Sequence, residues 1–218
     1  MYLVVLGASG GVGRHLVRLA QERGHQVTAV ARASSEVPDV PGARVVRGDL
    51  CSPAVLRDAM KNADAVLSGL GLRIGGLMPW NKPEDPTFLS RSTPAVIEAM
   101  QANAVRRVIA VSAGGVGDSA SAVPSFFQWM IRWTALKHAY AELERMEAAY
   151  FASGLEVCCC RPTGLTDGPA TGKVVVAPSF AGRATISRAD VATWMLDEVV
   201  KKTIKQRAPM ITTTGAAG

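Results

Sequence analysis

The 218-residue sequence predicts an α/β fold, a doubly wound parallel sheet with helices on both faces. Three observations carry that prediction. Short apolar runs alternate along the chain with stretches whose apolar residues recur at helical spacing. The runs are continuously apolar, as parallel strands buried on both faces require. Glycines gather where such a run ends and a helix begins, the place for a tight strand-to-helix turn.

The elements follow in order. Residues 3–6 form a first strand, and a glycine-rich turn occupies 7–13. Val12, Leu16, Leu19 and Ala20 then repeat at helical spacing to Arg23, with Gly24 as the stop. Residues 25–32 form a second strand and 43–47 a short third. Ser52 is a helix N-cap with Pro53 at the first helical position, and that helix runs to Lys61. A fourth strand covers 65–67, a helix opening on Thr93-Pro94 covers 93–103, and a fifth strand covers 107–112. One long helix is expected over 126–153, a sixth strand over 156–161 and a late helix over 188–201. The stretches 71–92 and 114–124 read as irregular. Both follow strands, on the edge where open α/β sheets bind ligands, and loops this long are usually functional. With no internal repeat and no linker, 1–218 reads as a single domain.

Composition narrows the function classes. Hydrophobic residues make up 48% and charged residues 19%, enough apolar surface to exclude a disordered chain. No run of about 18 uncharged apolar residues is present, so no membrane span is expected. The apolar N-terminus runs straight into glycines and reads as a strand, not a signal peptide. Cys158, Cys159 and Cys160 are consecutive and would alternate across a strand, so they cannot share one metal; with Cys51 they read as reduced thiols of a cytoplasmic protein. The net charge of +6 is spread along the chain, and Lys201, Lys202, Lys205 and Arg207 read as a solvated helix end. This charge suits an anionic cofactor better than nucleic acid, and no nucleic-acid, membrane or metal partner is expected. A small-molecule substrate is expected, on a monomer or homodimer.

Gly7, Gly10 and Gly13 make a G-x-x-G-x-x-G pattern between the first strand and the first helix. One glycine makes the turn, one lets the backbone approach a pyrophosphate, and one lets helix and strand pack closely. The helix N-terminus then offers amide donors and a partial positive charge. Ser9, Gly10, Gly11, Val12 and Gly13 are thus cofactor-binding candidates. At the end of the second strand an acidic residue would suit the ribose hydroxyls of NAD, and an arginine the 2′-phosphate of NADP. Arg32 stands there, followed by Ser34 and Ser35, with Glu36 past the strand end and Arg14 as a second cation. NADP(H) is therefore preferred over NAD(H). Asp49 and Leu50 follow the third strand, where they suit adenine. Ser68, Gly69, Leu70 and Gly71 follow the fourth, where small residues let backbone run beside the cofactor.

The residues that carry a family resemblance are GASGGVGRHLV at 7–17, VTAVAR at 27–32, VVRGDL at 45–50 and DAVLSGLG at 64–71. RRVIAVSAGGVGDS at 106–119, SGLEVCCCRPTGLTDGPATGK at 153–173 and ISRADVA at 186–192 extend it over nearly the whole chain. The sequence resembles the atypical short-chain dehydrogenase/reductases, in particular the NmrA-like NAD(P)-binding group that includes flavin and biliverdin reductases. That resemblance implies a Rossmann-type domain with a small substrate-side lobe from 162–187. It implies that Pro162, Thr163, Gly164 and Leu165 lie near the nicotinamide, and that Ser112 is the active-site serine.

The sequence departs from the superfamily in lacking a Tyr-x-x-x-Lys pair: Glu144 stands four residues after Tyr140, and Gly154 four after Tyr150. A Lys137/Tyr140 couple is one candidate, against a packing tyrosine and a solvated lysine. On the same helix His138 is a candidate proton relay, against a structural or solvent-facing histidine; Glu147 has no assigned role, and His15 and His25 are given none. Hydride transfer needs no protein acid when the acceptor takes its proton from water, so the departure favours planar conjugated acceptors. Trp80, Phe126 and Trp129, with Met78, Phe88 and Phe127, are candidates to line the substrate pocket, or else form a lid core or partner surface. Arg73 and Lys82 are candidates for an anionic substrate group, or else solvated loop cations. The expected activity is a flavin-reductase-like NADPH-dependent oxidoreductase. A non-catalytic NAD(P)-binding redox sensor is the alternative, with a nucleotide-sugar epimerase or dehydratase behind it.

Overall fold

The computed structural model describes residues 1–35, 37, 41–180 and 184–213; Glu36, part of the cofactor argument above, lies outside the described residues. The chain begins with β1 (Tyr2–Leu6), α1 (Gly11–Glu22), β2 (Gln26–Ala31), β3 (Arg44–Arg47), α2 (Pro53–Ala59) and β4 (Ala65–Ser68). It continues with α3 (Phe88–Ala102), β5 (Arg107–Val111), a 3₁₀ turn (Gly117–Ala122), α4 (Ser125–Trp133), α5 (Leu136–Ala152) and β6 (Glu156–Pro162). Then come β7 (Gly164–Thr166), β8 (Val174–Val176), β9 (Thr185–Ser187), α6 (Arg188–Val199) and β10 (Met210–Thr213).

The main sheet runs β3-β2-β1-β4-β5-β6-β10-β8 among the described residues. Its pairs are parallel except β10 with β8. This is the predicted doubly wound, Rossmann-like sheet. The strand order reverses between β1 and β4, and a crevice opens there at the carboxyl ends of the strands. Alternate residues of each strand feed two cores. Leu3, Val5, Leu67 and Ile109 pack under α1 and α6, whereas Val4, Leu6, Val66 and Val108 pack under α2, α3 and α5. The three adjacent cysteines obey the same alternation, Cys158 and Cys160 on one face and Cys159 on the other. Burial pushes their thiols up, that of Cys158 to about 12, so they pack as small apolar groups. Among the described residues no helix is long and apolar enough to cross a membrane.

The structure corrects two element assignments and adds four strands. The helix expected at 93–103 begins five residues earlier, at Phe88, and keeps Pro94 inside. Asp85 accepts from the Thr87 amide, and Glu142 of α5 accepts from the Ser90 amide and hydroxyl, which together build the first turn ahead of the proline. The long helix expected at 126–153 is two helices. Thr134 is extended, and its hydroxyl donates to the Met130 carbonyl (2.7 Å) while accepting from the Leu136 amide (3.2 Å), which competes with a continuous helix. The late strands β7 to β10 carry no assignment in the sequence reading. β10 lies beside β6 although some fifty residues separate them, and short apolar runs such as Val174–Val176 do not announce their partners.

Asp190 explains the ISRADVA segment. It is fully buried at the start of α6, and its carboxylate accepts from the Thr171 and Gly172 amides and from the Thr171 and Ser187 hydroxyls, at 2.9–3.0 Å. Its own amide donates to the Ser187 hydroxyl, capping the helix. Burial by itself would raise the carboxyl pKa. The donated bonds, led by the two amides, outweigh burial and hold it below the usual carboxylate range. Asp190→Asn is expected to cost roughly 3 kcal/mol of stability, because buried donors lose a charged acceptor. A folded pKa below the unfolded value gives stability that is present above about pH 4 and lost as pH falls further. Melts of both proteins across acid pH check this; a gap that does not narrow toward low pH counts against the assignment.

Candidate functional site

The turn between β1 and α1 is built by backbone. Gly7 has φ +72°, and its amide and that of Ala8 both donate to the Val30 carbonyl, at 3.0 and 3.1 Å. The Gly10 amide donates to the Gly7 carbonyl at 2.8 Å. Gly13 meets that same carbonyl: a Cβ on Gly13 would lie 2.0 Å from the Gly7 oxygen. Gly69 packs from the end of β4, where a Cβ would lie 3.2 Å from the Gly13 nitrogen. The first amides of α1, at Gly11, Val12 and Gly13, have no acceptor within the helix, and its first turn carries no acidic residue. The positive end of α1 is thus left for an anion.

Two adjoining cavities flank this turn. One is bounded by Gly7, Gly10, Asp49, Leu50 and the backbone of Gly69–Leu70–Gly71, and closed by Phe88 and Arg91. The other is polar, with Ser9, Arg14, Arg32, Ser34, Ser35 and Arg73 around it. Ser9, Arg32, Arg73 and Glu84 border both, so the two adjoin along these residues. Arg73 therefore stands beside Arg32. The bridge between Ile74 and Pro83 brings it there, and the Glu84 amide donates to the Arg73 carbonyl (3.3 Å). The Glu84 carboxylate stands 3.8 Å from the Arg32 guanidinium. Phe88 likewise walls the glycine-side cavity, opposite its expected place on the substrate side. Asp49 accepts from the Cys51 amide at 2.8 Å, and Leu50 is buried. Ser68 is placed differently from the expectation. It is buried, with its hydroxyl directed to the Tyr150 phenol in the core, so only the residues after it border the cavity.

At the carboxyl ends of β5 and β6 the chain builds a second feature. The Ser112 amide donates to the Cys160 carbonyl (2.7 Å), and the Ser112 hydroxyl is buried without a hydrogen-bond partner among the described residues. Gly114 is held on three sides: its amide donates to the Pro162 carbonyl (2.9 Å), its carbonyl accepts from the Tyr140 hydroxyl (3.0 Å), and the Phe180 ring lies where a Cβ would sit. Pro162 ends β6, Thr163 is buried with its amide on the Ile211 carbonyl (3.1 Å), and Gly164 and Leu165 emerge in β7. Phe180 escapes the sequence reading, since nothing local links it to Gly114.

The structure does not form a Lys137/Tyr140 couple. Tyr140 is bonded to Gly114 and burial raises its pKa, whereas a neighbouring lysine would lower it; Lys137 is exposed. Glu147 is structural: it is buried in a two-pronged ion pair with Arg161, which also binds Asp118. Trp80, Phe126 and Trp129 are 71%, 69% and 55% exposed, and none of them borders the two cavities at the glycine turn. Phe126 and Trp129 stack on each other, centroids 6.1 Å apart, on the outside of α4.

A glycine cradle at a free helix N-terminus, a cationic cavity beside it and an orphaned serine hydroxyl at the sheet edge fit an anionic dinucleotide. The fold and site define a dinucleotide-binding α/β protein. The chain belongs to the NAD(P)H-binding family, whose model matches residues 7–202. It is 30% identical over 215 residues to YhfK of Bacillus subtilis, named an uncharacterized sugar epimerase, covering 95% of this chain and 92% of that one. It is 32% identical over 197 residues to a 2-alkyl-3-oxoalkanoate reductase of Stenotrophomonas maltophilia, covering 86% of this chain and 57% of that longer protein. Among solved structures, ChuY, an anaerobilin reductase of Escherichia coli, superposes with a TM-score of 0.79 at 24% identity over the whole of both chains. A short-chain dehydrogenase/reductase of Veillonella parvula in complex with NADP superposes with a TM-score of 0.77 at 18% identity, over 100% of this chain and 96% of that one. At those identities the two structures establish the fold.

Proposed function

We propose that this protein is an NADPH-dependent reductase acting on a planar conjugated acceptor such as a flavin or quinone. The observation that carries this reading is the polar cavity around Arg14, Arg32 and Arg73, beside the glycine turn. Three guanidinium groups and the Ser34 and Ser35 hydroxyls form a site for a second phosphate, which NADP(H) has and NAD(H) lacks. The reductases among the relatives and structural neighbours support the same class of chemistry.

A bound NADPH supplies the hydride. The α1 amides and the glycine backbone would hold the pyrophosphate, Asp49 and Leu50 would face the adenine, and the arginines would hold the 2′-phosphate. Ser112, whose hydroxyl has no partner among the described residues, would donate it to a polar atom over the β5–β6 edge. Tyr140 is a positioning residue: it stays neutral, donates to the Gly114 carbonyl and so fixes the loop that carries Ser112. With Tyr140 engaged on Gly114, an acceptor that takes its proton from water is favoured. An epimerase would need a base for a sugar hydroxyl, and the engaged, neutral Tyr140 does not supply one.

The test titrates the purified protein with NADPH and NADH, then follows oxidation of the reduced nicotinamide with FMN, riboflavin and quinones. NADPH binding tighter by about tenfold or more, with turnover of at least one acceptor, is the expected result. Equal affinities overturn the NADP(H) assignment. Tight binding without any turnover overturns the enzyme and leaves a non-catalytic redox sensor.

A further inference from the structure

Arg188 opens α6 and reaches the front of α1. A Cβ on Gly11 would lie 2.5 Å from the Arg188 Cδ and 2.7 Å from its Nε, so the arginine stem crosses the face of the glycine. The Cα–Cβ direction in a helix tilts toward its N-terminus, the end where the free amides of Gly11, Val12 and Gly13 open. The Arg188 stem therefore lies against the first turn of α1, beside those amides. Its Nη1 donates to the Asp167 carboxylate at 2.8 Å. The two groups are unequal: the Arg188 side chain is 27% exposed and that of Asp167 86%. One of the five guanidinium donors is committed there, and no acceptor among the described residues takes the others.

We propose that Arg188 is a pyrophosphate-clamping residue, with Asp167 holding its guanidinium in place until the anion replaces the carboxylate. The proposal rests on the dinucleotide reading of the cradle and adds a cation that the glycine motif does not announce. It makes the lobe after β6 part of cofactor capture, because Asp167 belongs to that lobe. It also separates two charges by role: Arg32 answers to the 2′-phosphate, and Arg188 to the phosphates common to both dinucleotides.

The experiment measures dissociation constants for NADPH and NADH by fluorescence titration on the wild type, Arg188→Ala, Arg188→Lys and Asp167→Asn. Melts of the ligand-free proteins accompany them to confirm folding. Arg188→Ala is expected to weaken both dinucleotides by about the same factor, roughly tenfold, with Arg188→Lys in between. Asp167→Asn is expected to bind both at least as tightly as wild type, since it releases the guanidinium. Unchanged affinities in Arg188→Ala overturn the proposal, as does a loss confined to NADPH. A loss in Asp167→Asn equal to that in Arg188→Ala also overturns it, because the pair would then serve the lobe's fold. A wild type that binds neither dinucleotide would sink the underlying reading instead, a result distinct from all of these.

Discussion

Arg32→Glu is expected to lose NADPH affinity by about a hundredfold while NADH affinity changes only a few-fold. Each hydrogen bond from a guanidinium to a phosphate contributes about 1.5–3 kcal/mol, and 1.4 kcal/mol is a factor of ten in binding. The side chain is 43% exposed, so solvent screens part of that energy. Charge reversal restores the effect, because a second carboxylate would join Glu84, already 3.8 Å from the Arg32 guanidinium. NADH has no phosphate at this point and does not meet the repulsion. The loss should also shrink as salt is raised, since both partners lie near solvent. Parallel titrations with the two dinucleotides decide the matter. An equal loss for both would mean that Arg32 supports the turn's fold and does not select the cofactor.

Gly13→Ala is expected to remove binding of both dinucleotides and to cost about 3 kcal/mol of stability. The added methyl would stand 2.0 Å from the Gly7 carbonyl oxygen, 2.7 Å from its carbon and 3.0 Å from the Ala8 Cα. All three are backbone atoms, so no rotamer change relieves the clash. Either α1 moves away from β1 or the Gly7 peptide turns. The first loosens the core at Val12, Leu16 and Val17, and the second breaks the bonds to Val30. Gly168→Ala is the matched control: a Cβ there meets nothing within 4 Å, and its stability should stay at the wild-type value. Denaturant unfolding and dinucleotide titration of the two variants give the comparison. A Gly13→Ala protein with wild-type stability and binding would show that the close approach of helix and strand is dispensable.

Much of the site was legible because its logic is local. Gly7 to Gly13 sit within one turn, and their spacing alone implies a strand that must bend into a helix. Arg32, Ser34 and Ser35 follow directly on β2, so their place at the sheet's carboxyl edge needed only the strand assignment. The cysteine run was readable for the same reason, since alternation along a strand is a property of the backbone. The misplaced residues fail where a distant partner decides. Ser68 has the right position for the cofactor edge, but Tyr150, on a helix far along the chain, draws its hydroxyl into the core. Tyr140 and Lys137 share a helix, but Gly114 claims the tyrosine hydroxyl and burial sets its acidity. Arg73 takes its place from the Ile74–Pro83 bridge, and Phe180 from a contact with Gly114. Trp80, Phe126 and Trp129 stand out by type in a sequence with few aromatics, but type does not say which way a loop or a short helix faces.

The sequence by itself determined the doubly wound sheet and the glycine turn that joins β1 to the first helix. It also determined the absence of the usual tyrosine–lysine pair. These follow from periodicity, backbone conformation and residue identity, which act within a few residues. Only the tertiary structure decided that Arg14, Arg32 and Arg73 surround one cavity and that the Ser112 hydroxyl has no partner among the described residues. It alone placed Glu147 on Arg161 and Arg188 over Gly11. Those facts depend on which segments the packed core brings together, and side-chain contacts across such distances have no period that a linear sequence can display.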